Sequence, residues 1–308
     1  FFASVEQQDN PALRDKPIGV TAQHGRSSII AASIQAKRAG IRSPSRTFEA
    51  QRLCPEIQFV PAHFMRYWEI SQKFIAICKS FSPTVEIFSI DEVFMDVTLT
   101  APLFGGVTPM IEKIKKRLRE EIGECITASI GISHNKLLAK LASGMQKPNG
   151  IQSIREEDII RVYNSIKLTD FCGIGRRIEK RLVQMGIPTP LKLRLTPLAS
   201  LVAEFGNVQG RLLKNMGMGI DVSPVVPDTQ KAPVKSVGRQ YCLPHNEYDQ
   251  RVILQNIYEL CEEIAIKLRR LGKKARAVGI YLRGDESISE RKSLQYGIDT
   301  GREIFSNF

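Results

Sequence analysis

The chain has 308 residues, 43% of them hydrophobic, and carries 44 Lys and Arg against 32 Asp and Glu, so it can bury more than one core and has a net charge of +12. The charge favours a polyanionic partner, because each cation placed on a phosphate releases a counterion, although lysines that only keep the surface solvated would give the same balance. The cysteines and histidines are scattered and do not have the spacing of metal ligands, which argues against a zinc site or a disulfide framework and for reduced thiols in the cytoplasm. No apolar run reaches the ~18 residues of a membrane span.

Short strands and helices alternate in the first half of the chain. Segments rich in β-branched residues predict strands at 17–21, 28–33, 57–62, 84–90, 93–98 and 126–133. Apolar residues at helical spacing predict helices at 65–79, 110–121 and 135–145. This mixture of elements indicates an α+β fold.

The predicted secondary structure of the second half differs from that of the first and changes again after a linker. Glycine-punctuated short helices are predicted at 171–187, 196–206 and 208–220. Prolines 224, 227 and 233 then predict an inter-domain linker over 221–233. Beyond it, strands at 235–243 and 275–284 flank a long amphipathic helix at 248–271.

Two adjacent carboxylates, Asp91 and Glu92, interrupt the apolar segment FSIDEVFMDV. Neighbouring strand residues point to opposite faces, so burying both carboxylates would be costly unless a cation compensates. Mg²⁺ prefers such oxygen ligands. A hairpin turn whose acidic residues face water is the alternative.

A single lysine, Lys147, follows the helix predicted at 135–145 and precedes the turn-forming sequence PNG. A lysine held on a rigid turn beside a metal site can neutralise the charge of a triphosphate. A solvated lysine favoured by the helix dipole is the alternative.

The segment CGIGRRIEKRLVQMGI fits a helix-hairpin-helix. Its hairpin, Gly173, Ile174 and Gly175, would let backbone N–H groups approach a phosphate closely. Nearby cations add charge, and they are Arg176, Arg177, Lys180 and Arg181. A packing turn would explain the glycines but not the clustered cations, so binding to the DNA backbone is favoured.

Five segments occur in one order: FFASVEQQDNPALRDKP, FSIDEVFMDV, SIGISHNKLLAKLASGMQKPNG, CGIGRRIEKRLVQMGI and KSVGR. In that order they resemble the Y-family, lesion-bypass DNA polymerases, the bacterial polymerase IV and UmuC group, over nearly the whole chain. The resemblance implies a DNA-directed DNA polymerase of low fidelity that acts in translesion synthesis and DNA repair. Its partners would be primer–template DNA and deoxynucleoside triphosphates.

The resemblance also implies an arrangement of domains. Palm and fingers would occupy residues 1–165, a thumb with the helix-hairpin-helix 166–230, and a little-finger domain 231–308. The family's first metal-binding carboxylate lies on a strand ahead of the FF pair, and the last domain is incomplete. We therefore expect a chain truncated at both ends and inactive as it stands, with any sliding-clamp contact made by a tail beyond Phe308.

Residue roles follow from the matching motifs. Asp91 and Glu92 would hold Mg²⁺ for attack of the primer 3′-hydroxyl on the incoming triphosphate. Phe2 would be the steric gate against a ribose 2′-hydroxyl, and Lys147, with the backbone of Phe1 and Phe2, would bind the triphosphate. Besides the hairpin, the DNA contacts implied by the KSVGR segment are Lys235, Ser236, Gly238 and Arg239.

The chain departs from the family pattern in the fingers. The family's Y-x-x-R tyrosine and arginine align with Ile34 and Lys37, and Lys37 keeps the charge but loses the planar fork of arginine. Gly144 stands where the family often has aspartate.

Two other classes of protein share some of these features. A non-catalytic DNA-binding protein could have kept the fold after losing its metal site, but drift would not spare Asp91, Glu92, Phe2 and Lys147 together. A palm-domain cyclase or other nucleotidyl transferase would have no use for a helix-hairpin-helix or a basic C-terminal unit.

Overall fold

The computed structural model describes residues 1–22, 28–230, 233–243, 245–284 and 286–308. The chain divides into two compact units, Phe1–Lys231 and Ala232–Phe308. Strands among the described residues are β1 (Ile18–Thr21), β2 (Ser28–Ala32), β3 (Ser45–Arg46), β4 (Gln58–Pro61), β5 (Val85–Ile87), β6 (Val93–Met95), β7 (Ile130–Ile132), β8 (Ile151–Ser153), β9 (Ala275–Arg283) and β10 (Ser287–Ile298).

The described helices include a counterpart of every predicted one, together with shorter helices that were not predicted. They are α1 (Phe2–Asp9), α2 (Ile34–Arg38), α3 (Thr47–Leu53), α4 (Phe64–Lys79), α5 (Val107–Glu121), α6 (Lys136–Met145), α7 (Ile159–Ser165), α8 (Arg176–Gln184), α9 (Pro190–Leu195), α10 (Leu198–Met218), α11 (Gln250–Arg270) and α12 (Gly301–Phe305). Helices and mixed sheets together confirm the α+β class. Within the described residues, no helix has the length and apolar character needed to cross a membrane.

A four-stranded sheet in the order β3-β2-β1-β4 organises the start of the first unit. Strand β1 is antiparallel to β2 and parallel to β4, with Val20 opposite Ala31 and Val60. All four β1 residues are buried, as the apolar sequence IGVT predicts. Ile18 and Val20 pack with residues of α1 and α4, which fixes the start of α1 against the sheet.

Two short strand pairs and a helix complete the region around the predicted carboxylates. Strands β5 and β6 form an antiparallel hairpin, and β7 and β8 are parallel. Helix α6 follows β7 and is capped by the Asn135 side chain, which accepts a hydrogen bond from the Leu138 amide. A Cβ at Gly131 would lie 2.0 Å from the Ala139 carbonyl oxygen, so only glycine lets α6 pack this closely on β7.

Several strands are shorter than predicted. The predicted strand at 84–90 ends at Ile87, because the amides of Phe88 and Ser89 both donate to the Glu92 carbonyl and close a turn. The strand predicted at 126–133 contracts to β7, since its partner β8 offers only three residues for a ladder. In both places the turn or the partner, not the β-branched sequence, sets the strand length.

Helices α6–α10 share a second core in the first unit. Its fully buried members include Tyr163, Phe171, Leu182 and Leu213. The two helices predicted at 196–206 and 208–220 form one continuous element, α10, with non-helical backbone angles at Gly206 (φ 78°, ψ 168°). Glycine adopts this positive φ without steric cost, so the predicted break survives as a kink.

The stretch between the units is attached to the first one. The Glu86 carboxylate accepts a hydrogen bond from the Val226 amide at 2.9 Å, and Lys79 pairs with Asp228 at 2.9 Å. The predicted linker at 221–233 is therefore held by unit 1 up to this point rather than being a free spacer. Its residues 231 and 232 lie outside the described part of the chain.

The second unit packs α11 and α12 against the antiparallel pair β9–β10. Cys261, Ala265 and Val278 are buried between them. The predicted strand at 235–243 is wrong, because none of its described residues has a strand assignment or a ladder bond to β9 or β10. Val237 packs against the core and Arg239 pairs with Glu263 of α11, so side-chain contacts rather than ladder bonds hold this segment.

Candidate active site

A cavity of about 740 Å³ opens in the first unit. Separate segments of the chain form its wall: the start of α1, helix α2, the β5–β6 turn and the turn after α6. The residues with a predicted role that line it are Phe1, Lys37, Asp91, Glu92 and Lys147. The structure thus brings together residues up to 146 positions apart in the sequence.

The two carboxylates lie on the β5–β6 turn. Asp91 is exposed, and its carboxylate accepts a hydrogen bond from the Ser89 hydroxyl at 2.8 Å. The backbone amide of Asp91 donates to the Ser89 hydroxyl oxygen at 3.3 Å. Glu92 is half-buried, and its carboxylate accepts a hydrogen bond from the Lys140 ammonium. Asp91 therefore presents carboxylate oxygens to the cavity, whereas Glu92 is already held by a cation.

Two lysines of α6 contact the hairpin and were missed by the sequence analysis. Lys140 Nζ lies 5.6 Å from the centroid of the Phe88 ring in addition to its bond with Glu92. Lys136, one helical turn earlier, pairs with Glu86 at 2.9 Å and lies 5.7 Å from the Phe94 ring. The spacing K-x-x-x-K in KLLAK, which places both side chains on one helix face, was the available signal.

The turn that carries Lys147 is fixed by hydrogen bonds. Lys115 of α5 donates to the carbonyls of Asn149 at 2.5 Å and Gly150 at 3.5 Å, and burial lowers the pKa of this lysine. The Gly150 amide donates to the Gln146 carbonyl at 3.0 Å, and a Cβ at Gly150 would lie 2.0 Å from that same oxygen. The turn can therefore close only with glycine.

Helix α2 contributes Lys37 to the wall of the cavity. Ser33 caps the helix by accepting from the Ala36 amide, and the same hydroxyl accepts from Ile18 of β1 at 3.0 Å. Ile34, the second departure from the family pattern, also lines the cavity. The fingers-like helix is thus anchored to the sheet, with an exposed lysine directed at the cavity.

Phe1 and Phe2, at the start of α1, differ in whether they line the cavity. Phe1 lines the cavity, whereas Phe2 is half-buried beside it and is not part of the wall formed by the described residues. The two rings are 5.9 Å apart between centroids.

The helix-hairpin-helix lies elsewhere in the first unit. Gly173 has φ 106°, Ile174 is buried, and Gly175 caps α8, so the first turn of α8 points its amides outward. The cations Arg176, Arg177 and Lys180 are exposed. Arg181 instead pairs with Glu204 at 2.8 Å and covers the Phe205 ring, so this arginine serves packing.

The second unit carries the KSVGR residues. Its predicted DNA-contacting members are exposed, and they are Lys235, Ser236, Gly238 and Arg239. Arg239 also pairs with Glu263 of α11 at 2.6 Å. This ion pair ties the segment to the unit's long helix.

Comparison with known proteins decides the family. The impB/mucB/samB family model matches residues 1–144, and the model of that family's C-terminal domain matches residues 234–308. The fold superposes on a Y-family DNA polymerase chimera of Dbh and Dpo4 with a TM-score of 0.85 and 25% identity, covering 100% of this chain and 88% of the other. The chain belongs to the Y-family of DNA polymerases.

The sequences of known relatives align with almost the whole length of this Y-family polymerase. It is 36% identical to DNA polymerase IV of Pelotomaculum thermopropionicum over 309 residues, which covers 99% of this chain and 76% of the relative. It is 34% identical to DNA polymerase IV of Staphylococcus saprophyticus, covering 99% and 85%. The predicted family and the predicted class, a lesion-bypass DNA-directed DNA polymerase, are confirmed, and the non-catalytic alternative is not favoured.

Proposed function

We propose that the 740 Å³ cavity is the nucleotidyl-transfer site of this polymerase, with Asp91 and Glu92 as metal ligands and Lys37 and Lys147 as triphosphate contacts. The observation that carries the proposal is that these four residues come from three distant segments and share one wall. Y-family polymerases act on DNA and deoxynucleotides and generally use divalent metal ions. Mg²⁺ is the ion that we propose here.

The donor set fits Mg²⁺. This ion is usually bound through one or two carboxylates together with substrate phosphates, and it keeps several waters. Asp91 and Glu92 supply two adjacent carboxylates, one of them exposed to the cavity. Among the described residues no three Asp, Glu, His or Cys side chains gather into a larger ligand group. When bound, the ion would neutralise phosphate charge as the primer 3′-hydroxyl attacks.

The chain's own residues would position the reactants. Lys37 and Lys147 both place positive charge in the wall of the cavity, where the negative charge of a triphosphate would be stabilised. Lys140 orients Glu92, and Lys115 holds the turn that carries Lys147. The hydroxyl would form a bond to the α-phosphate as the bond to the leaving pyrophosphate breaks.

Sugar choice is assigned to Phe2 and DNA binding to surfaces outside the cavity. The Phe2 ring lies 5.9 Å from that of Phe1, which lines the cavity, and this neighbourhood supports the role of Phe2 in excluding a ribose 2′-hydroxyl. Exposed Arg176, Arg177 and Lys180 would contact phosphates of the primer–template, as would the KSVGR residues of the second unit. In this assignment residues 1–165 are palm and fingers, 166–230 the thumb and 231–308 the little finger.

The metal site is tested by removing each carboxylate without changing its size. In a version of the polymerase that also carries the family's first metal-binding carboxylate, Asp91→Asn and Glu92→Gln should each abolish primer extension while leaving primer–template binding unchanged. Asp96→Asn is the matched control: Asp96 is an acidic residue just beyond the same hairpin, does not line the cavity, and accepts a hydrogen bond from the Thr98 amide that asparagine can retain. Extension by either site variant at the rate of the control would remove the carboxylate from the site.

A further inference from the structure

Phe2 is held by two other aromatic rings. Its ring stacks on Tyr67 of α4 with 4.3 Å between centroids and 12° between planes. Phe64 meets the Phe2 ring edge-on at 6.2 Å and 88°, and meets Tyr67 at 6.0 Å and 80°. One face and one edge of Phe2 are therefore in contact with side chains of α4.

Tyr67 is itself fixed at its far end. Its side chain has no exposed surface, and its hydroxyl donates to the Glu6 carboxylate at 2.5 Å. Glu6 is only 6% exposed and also bonds His63 Nδ1 at 2.9 Å. Burial, and then the hydrogen bond to Glu6, raise the pKa of Tyr67 well above its ordinary value, so the hydroxyl remains a donor at any working pH. Such a bond to a buried carboxylate is among the stronger hydrogen bonds in proteins.

The geometry of α1 links the two contacts. Phe2 and Glu6 are four residues apart, so they lie on one face of the helix about one turn from each other. Tyr67 spans both positions, with its ring on Phe2 and its hydroxyl on Glu6. The hydrogen bond between the Tyr67 hydroxyl and Glu6 thus fixes the orientation of the Tyr67 ring, on which the Phe2 ring stacks.

We propose that Glu6 and Tyr67 are positioning residues for sugar selection, which hold the Phe2 ring at the height that excludes a 2′-hydroxyl. This rests on the role proposed above for Phe2. A ring that tilted or withdrew far enough to make room for an oxygen atom would admit the hydroxyl, so discrimination depends on the support as well as on the ring. Without its hydroxyl bond, the ring under Phe2 would lose the constraint that fixes its plane.

A second tyrosine provides a matched comparison. Tyr163 is also fully buried, donates its hydroxyl to the Met216 carbonyl at 2.6 Å and contacts Phe171 edge-on at 5.3 Å. It lies in the core of α6–α10, which does not include Phe2, and lines no part of the cavity. Tyr163→Phe removes a comparable hydrogen bond with no link to Phe2, and so reports the effect of lost stability alone.

In the polymerase version that carries the family's first metal-binding carboxylate, the experiment compares deoxyribonucleotide and ribonucleotide use by Tyr67→Phe, Glu6→Gln, Tyr163→Phe and Phe2→Ala. We expect Tyr67→Phe to lower the ratio of kcat/KM values roughly tenfold, through a lower KM for the ribonucleotide, with kcat for the deoxyribonucleotide little changed. Glu6→Gln keeps an acceptor of the same shape and should have a smaller effect. Dissociation constants of both nucleotides on a dideoxy-terminated primer give the same comparison without the chemical step, and Tm values show that each variant is folded.

A double variant separates this inference from the gate assignment. If Tyr67 acts through Phe2, Tyr67→Phe should cause no further loss of discrimination in the Phe2→Ala background. An unchanged ratio in Phe2→Ala itself would refute the proposed gate. Two outcomes would overturn the positioning role and leave the gate intact, provided that Phe2→Ala lowers the ratio. In the first, Tyr67→Phe behaves like Tyr163→Phe. In the second, Tyr67→Phe causes its full loss of discrimination again in the double variant.

Discussion

Lys140 of α6 donates a hydrogen bond to the carboxylate of Glu92, which belongs to the turn 48 residues earlier in the chain. The lysine also lies over the Phe88 ring, so the cation is held between an acidic and an aromatic side chain of one hairpin. A positive charge in contact with a proposed metal ligand orients that ligand and, by Coulomb repulsion, competes with the metal ion. These two effects have opposite consequences for catalysis and for metal affinity.

Replacing Lys140 separates the two effects. Lys140→Met should lower kcat, though less than Glu92→Gln, because the carboxylate remains but loses its orientation. The Mg²⁺ concentration that gives half-maximal extension should fall, because the competing charge is gone. Lys136→Met, which breaks the pair with Glu86 one helical turn away, is the control and should leave the Mg²⁺ requirement as it is. A higher Mg²⁺ requirement in Lys140→Met would contradict this account.

Lys115 should influence nucleotide binding from outside the cavity. Its ammonium bonds two carbonyls of the turn that carries Lys147, so Lys115→Met should raise KM for the incoming nucleotide roughly tenfold with a smaller change in kcat. Lys115→Arg should recover part of the loss. Lys113→Met on the same helix, whose ammonium lies over Phe104, controls for removal of a charge. Equal KM values for the two methionine variants would rule out the positioning of Lys147.

The helix-hairpin-helix predicts a specific salt dependence. Replacing the three exposed cations Arg176, Arg177 and Lys180 by glutamine should weaken primer–template binding for all sequences about equally. Each phosphate contact that is lost should reduce the slope of log K against log salt by about 0.9. Glutamine at Lys113, Lys116 and Arg119, three exposed cations of α5, changes the net charge equally and should alter the slope much less. A sequence-selective loss would mean that the hairpin does not bind the backbone.

The cysteines should react in two classes. Burial raises the pKa of Cys78 to about 12 and, with Glu262 nearby, that of Cys261 to about 11, whereas Cys172 and Cys242 are exposed. At pH 8 iodoacetamide should modify Cys172 and Cys242 first, which mass spectrometry of the digested protein would show. Because the folded pKa of Cys78 is raised, its contribution to stability is present below about pH 9 and is lost as pH rises toward 12. Rapid labelling of Cys78 in the folded chain would contradict its burial.

Local sequence predicted the helices well because a helix depends on residues three and four positions apart. The bounds predicted for the helices at 65–79 and 248–271 differ from α4 and α11 by at most two residues at either end. The helix break at Gly206 was also predicted from the sequence, because a glycine that adopts positive φ interrupts helical geometry at any position. The family motifs are likewise short continuous segments, and so the metal, triphosphate and hairpin candidates could be named from the sequence.

The sequence by itself determined which residue types could do the chemistry, and only the tertiary structure decided what each of them contacts. A strand exists only where a partner supplies ladder bonds, which is why residues 235–243 have the composition of a strand without forming one. Lys140 and Glu92, like Tyr67 and Phe2, meet because separate helices pack on a common sheet and hairpin. Such contacts depend on how the whole unit buries its apolar surface, and no local pattern contains that information.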